Sequence, residues 1–339
     1  MLTVLNALPT GLLDAPAADL YRILPGPTLI HLPGRRSPAL FVSVLQHGNE
    51  MTGLLAVQAV LRSYHGATLP RALSVYIGNV AAAREGLRRL DEQPDYNRVW
   101  PGADTAGLPE HVMTAEVVDQ MRVRQVFASI DIHNNTGLNP HYGCINRLEP
   151  AFLQLATLFS RIVVYFRRPL GVQSAAFAPL CPAVTVECGK PSQRSGEEHA
   201  AAFVHAALNL AEFSRPAVNA EEIELYHTVG VVKIPPEVSF SFGPQGADLQ
   251  LEPDIDHMNF RELPAGTRLG LVSNGCRRPL EVLGEDGAPI DQQYVEVRDG
   301  ELRLKRSVMP SMLTTDARVI RQDCLCYFME RLSPPDRRD

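Results

Sequence analysis

The sequence lacks the features that mark secreted, disulfide-bonded or membrane-spanning proteins. Its six cysteines, at positions 144, 181, 188, 276, 324 and 326, show no Cys-x-x-Cys spacing, so we expect buried free thiols rather than a disulfide scaffold. No segment stays apolar for the roughly 18 residues that a membrane helix needs. The first nine residues lack the basic start and long apolar run of a secretory signal, so we expect a cytoplasmic protein.

The charges of the chain are also too sparse and too mixed to follow a phosphate backbone. Lys and Arg total 32 against 38 Asp and Glu, which gives a net charge of -6, and there is no long run of like charges. We therefore expect neither nucleic acid nor a membrane as a partner. Hydrophobic residues make up 45% and charged residues 21%, which is typical of a globular protein. This composition is compatible with a homo-oligomer.

Apolar, β-rich runs alternate with helix-like stretches over the first two-thirds of the chain. This alternation predicts an α/β fold, a doubly wound mixed sheet with helices on both faces. The predicted strands are 39–45, 73–78, 125–132, 161–165 and 183–187, and the predicted helices are 52–64, 115–123 and 196–213.

The pattern changes near residue 216. From there, short strand-like segments are separated by Pro and Gly, which predicts a smaller β-rich domain. We therefore predict two domains, 1–215 and 216–339, and this number agrees with a chain of 339 residues because domains usually hold about 100–200 residues.

The segment Gln46-His47-Gly48-Asn49-Glu50 lies between a predicted strand and a predicted helix. A His-x-x-Glu spacing at the carboxyl end of a strand lets an imidazole and a carboxylate meet on one cation. The glycine between them removes a steric bar to the tight turn. The alternative is that His47 only caps or hydrogen-bonds the turn, and four residues by themselves do not decide between the two.

A further ligand is available at the end of the apolar run 125–132. His133 follows it directly, and ligands of open α/β sheets bind at the carboxyl ends of strands. With His47 and Glu50 it would form a set of three protein ligands and leave a fourth position for water, as catalytic zinc sites require. Asp131 would share a face with His133 and could orient its imidazole. A helix cap or salt bridge is the alternative for Asp131.

Four segments in this order carry a resemblance to a known family: His47-Gly48-Asn49-Glu50, Asp95-Tyr96-Asn97-Arg98, Asp131-Ile132-His133-Asn134 and Val184-Thr185-Val186-Glu187-Cys188-Gly189. Together they resemble the motifs of the succinylglutamate desuccinylase/aspartoacylase family, which has a zinc carboxypeptidase-like fold. The resemblance implies that 1–215 is a zinc hydrolase catalytic domain and that 216–339 is the family's β-rich second domain.

The resemblance also implies roles for single residues. His47, Glu50 and His133 would bind one Zn²⁺ per chain, and Glu187 would be the catalytic base that activates the bound water. An independent argument supports Glu187, because it ends an apolar strand and would lie at the same sheet edge as the ligands. Burial there should raise its pKa towards the range useful for proton transfer. A structural Glu at a strand end is the alternative.

Substrate-facing residues follow from the same resemblance. Asn97 and Arg98 resemble the family's clamp for the substrate carboxylate, for which a guanidinium offers bidentate geometry. Arg88 is the best match to the arginine that polarises the scissile carbonyl, while Arg89 and Arg84 are alternatives for that place. A solvated basic turn would account for at least two of these three arginines.

The chain departs from the family pattern at positions that bear on the substrate. Aspartoacylases carry an additional arginine about ten residues before the catalytic Glu, and this chain has Phe177 there, which argues against N-acetylaspartate. Cys188 stands where bacterial desuccinylases tend to carry Leu. Tyr294 could reach the substrate as a tyrosine does in aspartoacylases, or it could be a core or surface residue. The acyl group and the amine therefore stay open.

The sequence as a whole predicts a zinc-dependent amidohydrolase. Its substrate would be a small molecule, an N-acyl amino acid or a similar carboxylate-bearing amide with a linear C–N bond. The alternatives are a carboxypeptidase-like peptidase and a catalytically inactive zinc-binding module. We expect the other histidines to be structural or exposed, except His141, which is close enough to His133 in sequence to line the pocket.

Overall fold

The computed structural model describes residues 1–103, 107–213 and 222–333. They form two compact units. The first comprises described residues of Met1–Asn134 and His141–Leu225, and the second comprises Asn135–Pro140 and Tyr226–Leu332. The domain limit predicted after residue 215 falls outside the described residues, so it stays a prediction.

A mixed β-sheet forms the centre of the first unit. Its strands are β1 (Thr3–Leu5), β2 (Thr28–Leu32), β3 (Leu40–Val44), β4 (Leu73–Ile77), β5 (Ala128–His133), β6 (Tyr142–Ile145), β7 (Ile162–Tyr165) and β8 (Ala183–Glu187). They are ordered β1-β2-β4-β3-β5-β8-β6-β7. The pairs β2–β4 and β8–β6 are antiparallel, and the other pairs are parallel. Strands β3, β4, β5 and β8 are buried along their whole length, as expected of sheet strands covered on both faces.

Helices alternate with these strands: α1 (Thr52–Ser63), α2 (Val80–Glu85), α3 (Pro109–Val123), α4 (Pro150–Thr157), α5 (Gln173–Phe177) and α6 (Arg194–Asn209). The predicted fold class is confirmed. Helix α3 begins six residues before the predicted start, at Pro109, because proline is favoured in the first turn of a helix, where its missing N–H is not needed. Strands β1, β2 and β6 and the shorter helices were not predicted.

The second unit is β-rich, as predicted, and its strands pair mainly antiparallel. One set of strands is ordered β13-β9-β17-β16, with β9 (Glu224–Lys233), β13 (Glu281–Leu283), β16 (Met309–Ser311) and β17 (Cys326–Arg331). A smaller, five-stranded sheet has the order β10-β11-β12-β15-β14. Its strands are β10 (Phe240–Phe242), β11 (Leu249–Leu251), β12 (Arg268–Val272), β14 (Val295–Arg298) and β15 (Glu301–Leu304), and the unit also holds two short helices, α7 (Asp291–Tyr294) and α8 (Ala317–Gln322). Apolar residues such as Val232, Leu249 and Leu302 fill its core.

Two expectations about the chain as a whole can be compared with these elements. All six cysteines are free thiols, and five of them are buried, as predicted. Within the described residues, no helix combines the length and the apolar character needed to cross a membrane.

Candidate active site

The segment that follows β3 leaves the sheet through a constrained turn. Leu45 has a φ of 53°, a left-handed conformation that costs a bulky residue energy and is found mainly where surrounding structure enforces it. Gly48 lies against the backbone of α2, and a Cβ on it would stand 2.2 Å from the Ala83 nitrogen. Glycine is therefore required at this position by the close approach of a helix, rather than by the φ of the turn.

His47, Glu50 and His133 meet at one buried point. The Glu50 carboxylate lies between the two imidazoles, with Oε1 2.8 Å from His47 Nδ1 and Oε2 2.7 Å from His133 Nδ1. One ligand atom from each of the three residues lies within 4.8 Å of the others. Imidazole nitrogen and carboxylate oxygen are donors that zinc accepts in catalytic sites. The three side chains therefore fit the ligand set predicted from the sequence.

The other nitrogen of each imidazole faces a second carboxylate. His47 Nε2 is 3.0 Å from Asp95 Oδ1, and His133 Nε2 is 2.8 Å from Asp131 Oδ2. A carboxylate on the far nitrogen fixes the orientation and tautomer of a metal-binding imidazole. The hydrogen-bonding role expected of Asp131 is confirmed. The sequence assigned no such role to Asp95, although its position two residues before Asn97 in a recognised motif was a signal that could have found it.

Opposite charges outweigh burial at the three ligand side chains. Burial lowers the pKa of His133, but Asp131 and Glu50 raise it further, so its pKa lies well above the usual value. The same balance raises the pKa of His47, which burial and Arg88 lower and Glu50 and Asp95 raise. Burial raises the pKa of Glu50, while the two imidazoles lower it below its usual value. Because metal ligands must be deprotonated, a cation bound here would displace protons from the imidazoles.

Arg88 is the arginine that faces this cluster. Its Nε and Nη2 both donate to Asp95 Oδ2, at 3.1 and 2.8 Å, and its Nη1 lies 3.7 Å from Glu50 Oε1. Arg89 instead donates to the backbone oxygen of Gln93, and the largely exposed Arg84 pairs with its neighbour Glu85. Of the three candidates for the carbonyl-polarising position, Arg88 therefore has the geometry that fits.

The predicted substrate clamp, Asn97 and Arg98, also borders the cluster. Asn97 is buried, its Oδ1 accepts a hydrogen bond of 2.9 Å from the backbone nitrogen of Gln173, and its Nδ2 lies 3.2 Å from His133 Nε2. Arg98 Nη1 donates to the backbone oxygen of Asn97. The Asn97 amide is thus held against a ligand imidazole, a contact that the sequence did not predict.

Glu187 ends β8, which lies beside β5, the strand that carries His133. In the parallel pairing of β5 with β8 it is the register partner of His133, and it is buried. The pKa of the next residue, Cys188, is raised by burial and then by the Glu187 and Glu50 carboxylates. One thiol therefore lies close enough to both carboxylates to be affected by their charge, and Glu187 and Glu50 belong to the same neighbourhood.

Asn134 connects the three segments that carry these side chains. Its backbone nitrogen donates to Glu50 Oε2 at 3.2 Å, and its Nδ2 donates to the Gly189 oxygen at 3.0 Å. Its Oδ1 accepts from the nitrogen of Thr52, the first residue of α1, at 3.3 Å. The sequence quoted Asn134 within a motif and gave it no role, whereas the structure makes it a bridge between the ends of β5 and β8 and the start of α1.

Two residues whose positions bear on the substrate in the family resemblance lie in hydrophobic cores. Phe177 is fully buried and stacks on Phe41 with the ring centroids 4.4 Å apart. Tyr294, in the second unit, is 4% exposed and packs near Phe328. Tyr294 is thus a core residue, which was the alternative to the substrate-contacting role.

His141 was predicted as a residue that could line the pocket. It lies beside Gly189, where an added Cβ would stand 3.4 Å from the His141 Nε2, and its ring is 4.9 Å from that of His199. His141 therefore neighbours the segment that follows Glu187, and its role at the pocket stays a prediction.

Comparison with known proteins gives the family of this chain. The model of the succinylglutamate desuccinylase/aspartoacylase catalytic domain matches residues 36–213, more than half of the chain. The chain belongs to this family. The matched range contains every residue of the cluster described above, from His47 to Glu187. The candidate site therefore lies within the part of the chain that matches the family's catalytic domain.

Several solved structures share the fold at low sequence identity. Succinylglutamate desuccinylase from Chromobacterium violaceum is 18% identical, with a TM-score of 0.58 over 89% of this chain and 87% of that one. Murine aminoacylase 3 is 16% identical, with a TM-score of 0.57 over 88% and 97% of the two chains. The ectoine utilization protein EutE from Ruegeria pomeroyi is 13% identical, with a TM-score of 0.55 over 90% and 88%. No curated protein gives a significant sequence match.

Proposed function

We propose that this protein is a zinc-dependent deacylase that hydrolyses the amide bond of an N-acyl amino acid or a similar small, carboxylate-bearing amide. The observation that carries the proposal is the convergence of His47, Glu50 and His133, with their ligand atoms within 4.8 Å of one another. His133 is also the register partner of Glu187 on the neighbouring strand. Membership of the desuccinylase/aspartoacylase family supports the reaction class.

The residues present fit one zinc ion. His47 and His133 would each offer Nδ1, Glu50 would offer its carboxylate, and Asp95 and Asp131 hold the far nitrogens of the imidazoles. When bound, zinc supplies Lewis acidity that acidifies a water molecule and polarises a carbonyl oxygen.

Glu187 performs the proton transfers in this proposal. Its carboxylate accepts a proton from the attacking water as the new C–O bond forms at the amide carbon. The C–N bond then breaks, and Glu187 returns the proton to the leaving amine nitrogen, so that the side chain ends in its starting state. A buried carboxylate next to the ligand strand is suited to this role because it reaches the reaction centre without being required as a ligand.

Arg88 and the clamp residues act on the substrate. The Arg88 guanidinium would donate to the carbonyl oxygen as negative charge develops on it, a preorganised electrostatic effect that favours the transition state. Arg98 would bind the substrate carboxylate, because a guanidinium matches it with two hydrogen bonds. Asn97 adds a neutral donor beside it.

A substrate screen with a single variant tests the proposal. We expect the zinc-loaded protein to hydrolyse at least one member of a panel of N-acetyl, N-succinyl and N-formyl amino acids. Glu187→Gln should keep its zinc and lower kcat by roughly two to four orders of magnitude, the usual contribution of a positioned general acid-base group, with little change in KM. Zinc content is measured by elemental analysis alongside the kinetics.

Cys144→Ala is the matched control for this variant. Cys144 is buried, and its thiol feels the charge of Glu187, but the proposed reaction gives it no part, so kcat should stay within about threefold of the wild type. Loss of zinc from Glu187→Gln would make Glu187 a ligand. Full activity of the zinc-bearing variant would show that the base is another group.

A further inference from the structure

A chain of buried hydrogen bonds leads away from the metal-binding face of His133. It runs from His133 to Asp131, from Asp131 to Gln46 and from Gln46 to Trp100. The exposed fractions are 4%, 0%, 1% and 0% in that order. Because water does not reach these groups, each must find its hydrogen-bond partner within the protein.

Trp100 fixes the orientation of the Gln46 amide. The indole Nε1–H donates to Gln46 Oε1 at 2.6 Å, and an indole nitrogen can only donate. The amide oxygen must therefore face Trp100, which turns the amide nitrogen towards Asp131. A flipped amide would set two donors against each other and place its oxygen against a carboxylate.

Gln46 in turn fixes Asp131 as an acceptor. Gln46 Nε2 donates to Asp131 Oδ1 at 2.7 Å, and Asp131 Oδ2 lies 2.8 Å from His133 Nε2. With one carboxylate oxygen held by an N–H group, the other is aligned to accept the Nε2–H of His133, and this 2.8 Å contact is shorter than the 3.2 Å between the same Nε2 and Asn97 Nδ2. The lone pair of His133 is then on Nδ1, the nitrogen that faces Glu50.

Trp100 itself is firmly placed. Its ring makes edge contacts with Tyr76 and Phe177, at centroid distances of 5.5 and 6.0 Å, and its backbone nitrogen donates to the Gly171 oxygen at 3.0 Å. A donor on a ring packed in this way has one direction available. Trp100 therefore gives the hydrogen-bonded chain that leads to His133 a fixed starting point.

We propose that Trp100 and Gln46 are positioning residues that set the tautomer and the ring orientation of His133 through Asp131. This inference rests on the proposed metal-binding role of His133. It extends the site by two residues that neither bind the metal nor contact the substrate, and that act through the Asp131 carboxylate.

The test measures zinc affinity in two variants, of which Gln46→Met nearly preserves side-chain volume and Trp100→Phe keeps an aromatic ring at that position. Trp100→Phe removes the indole donor, and Gln46→Met removes all three hydrogen bonds of the amide, to Asp131, Asn97 and Trp100. We expect each to weaken zinc binding by about 10- to 100-fold, the usual effect of losing an outer partner of a metal-binding histidine, as measured by calorimetric titration with zinc alone. Tyr76→Phe is the control, since it alters the same aromatic cluster but removes no hydrogen bond between His133, Asp131, Gln46 and Trp100, and its zinc affinity should stay within about twofold.

A second readout separates positioning from a general loss of structure. The imidazole Nε2–H proton of His133, identified in ¹H NMR spectra by its absence from His133→Ala, should exchange slowly in the wild type and in Tyr76→Phe, and much faster in Gln46→Met. Circular dichroism checks that each variant is folded, and if Gln46→Met does not fold, Trp100→Phe provides the same comparison.

The outcomes distinguish this inference from the function on which it rests. Variants that bind zinc as tightly as the wild type, with equally slow exchange of the His133 proton, would overturn the proposal that Trp100 and Gln46 position His133. A wild-type protein that takes up no zinc would instead overturn the proposed function. The exchange of the His133 proton in the metal-free proteins would then still decide whether Trp100 and Gln46 hold the imidazole.

Discussion

The two imidazoles of the candidate metal site are held in different ways. On the side of His47, the supporting carboxylate is Asp95, which is bonded to the charged guanidinium of Arg88. On the side of His133, the supporting carboxylate is Asp131, which is bonded to the neutral amide of Gln46. We call these the charged side and the neutral side.

The difference shows that one task can be met with two kinds of partner. Both carboxylates accept from an imidazole nitrogen, but the charged side also brings an arginine to within 3.7 Å of Glu50. On the neutral side, the Gln46 amide is engaged within the protein by Asp131, Asn97 and Trp100. Arg88 on the charged side can therefore serve chemistry as well as geometry, whereas Gln46 on the neutral side serves geometry alone.

Removal of a proposed ligand should have the largest effect on zinc binding, and this effect should be the same on the charged side and on the neutral side. We expect His47→Ala, Glu50→Ala and His133→Ala each to lose bound zinc, because catalytic zinc sites use three protein ligands. Elemental analysis measures the zinc content. His227→Ala is the control, since His227 pairs with Glu285 in the second unit and its loss should leave about one zinc per chain. Full zinc content in any of the three ligand variants would remove that residue from the site.

Replacement of each supporting carboxylate by an amide should have different effects on the two sides. Asp95→Asn and Asp131→Asn should each weaken zinc binding by about 10- to 100-fold. At saturating zinc, we expect Asp131→Asn to recover most of its kcat and Asp95→Asn to stay low, because only Asp95 also holds Arg88. Calorimetry and kinetics at saturating zinc provide the two measurements. Equal recovery in both variants would mean that the charge of the Asp95–Arg88 pair has no part in the reaction.

Arg98 should affect substrate binding more than zinc binding. It contributes to the charged side, since the pKa of Asp95, which burial raises, is held well below its usual value by Arg88, His47 and Arg98. We expect Arg98→Ala to raise KM for carboxylate-bearing substrates by about 30-fold, or roughly 2 kcal/mol, with zinc content unchanged. Steady-state kinetics on a substrate and on its carboxamide analogue measure the effect. An unchanged KM for the carboxylate substrate would place the clamp elsewhere.

The smallest effect is expected at Arg89, next to the charged side. Its guanidinium binds the backbone oxygens of Asp91 and Gln93 rather than the cluster. Arg89→Ala should therefore change kcat/KM by less than about twofold, as is usual for surface substitutions away from a site. Arg88→Ala, measured in parallel, should lower kcat/KM far more. If Arg89→Ala has the larger effect, the carbonyl-polarising arginine has been assigned to the wrong residue.

The convergence of the three candidate ligands could be predicted from the sequence because their positions depend on local rules. Strand β5 is regular, so its period of two puts Asp131 and His133 on one face. Parallel strands end at one edge of a sheet, which brings the ends of β3, β5 and β8 together. The fold class followed from the same alternation of apolar runs and helix-like stretches.

Asp131 was predicted as the partner of His133, but Asp95 and Trp100 were not, because they lie on irregular chain. Asp95 and Trp100 are in a loop between α2 and α3 that has no periodic pattern, and their contacts with His47 and Gln46 join residues 48 and 54 positions apart. Strand β6 was not predicted, for a different reason. Its four residues, Tyr-Gly-Cys-Ile, combine types with opposite strand preferences.

Trp100 is the only tryptophan among the 339 residues, and this gives the protein a built-in optical probe. Its indole is shielded from solvent and is joined to the candidate metal site by hydrogen bonds through Gln46 and Asp131. Selective excitation therefore reads a single environment, without the overlapping signals of a protein with many tryptophans. Emission intensity and wavelength would follow metal uptake, and energy transfer to a bound cobalt ion would measure its distance from the ring, all without any label.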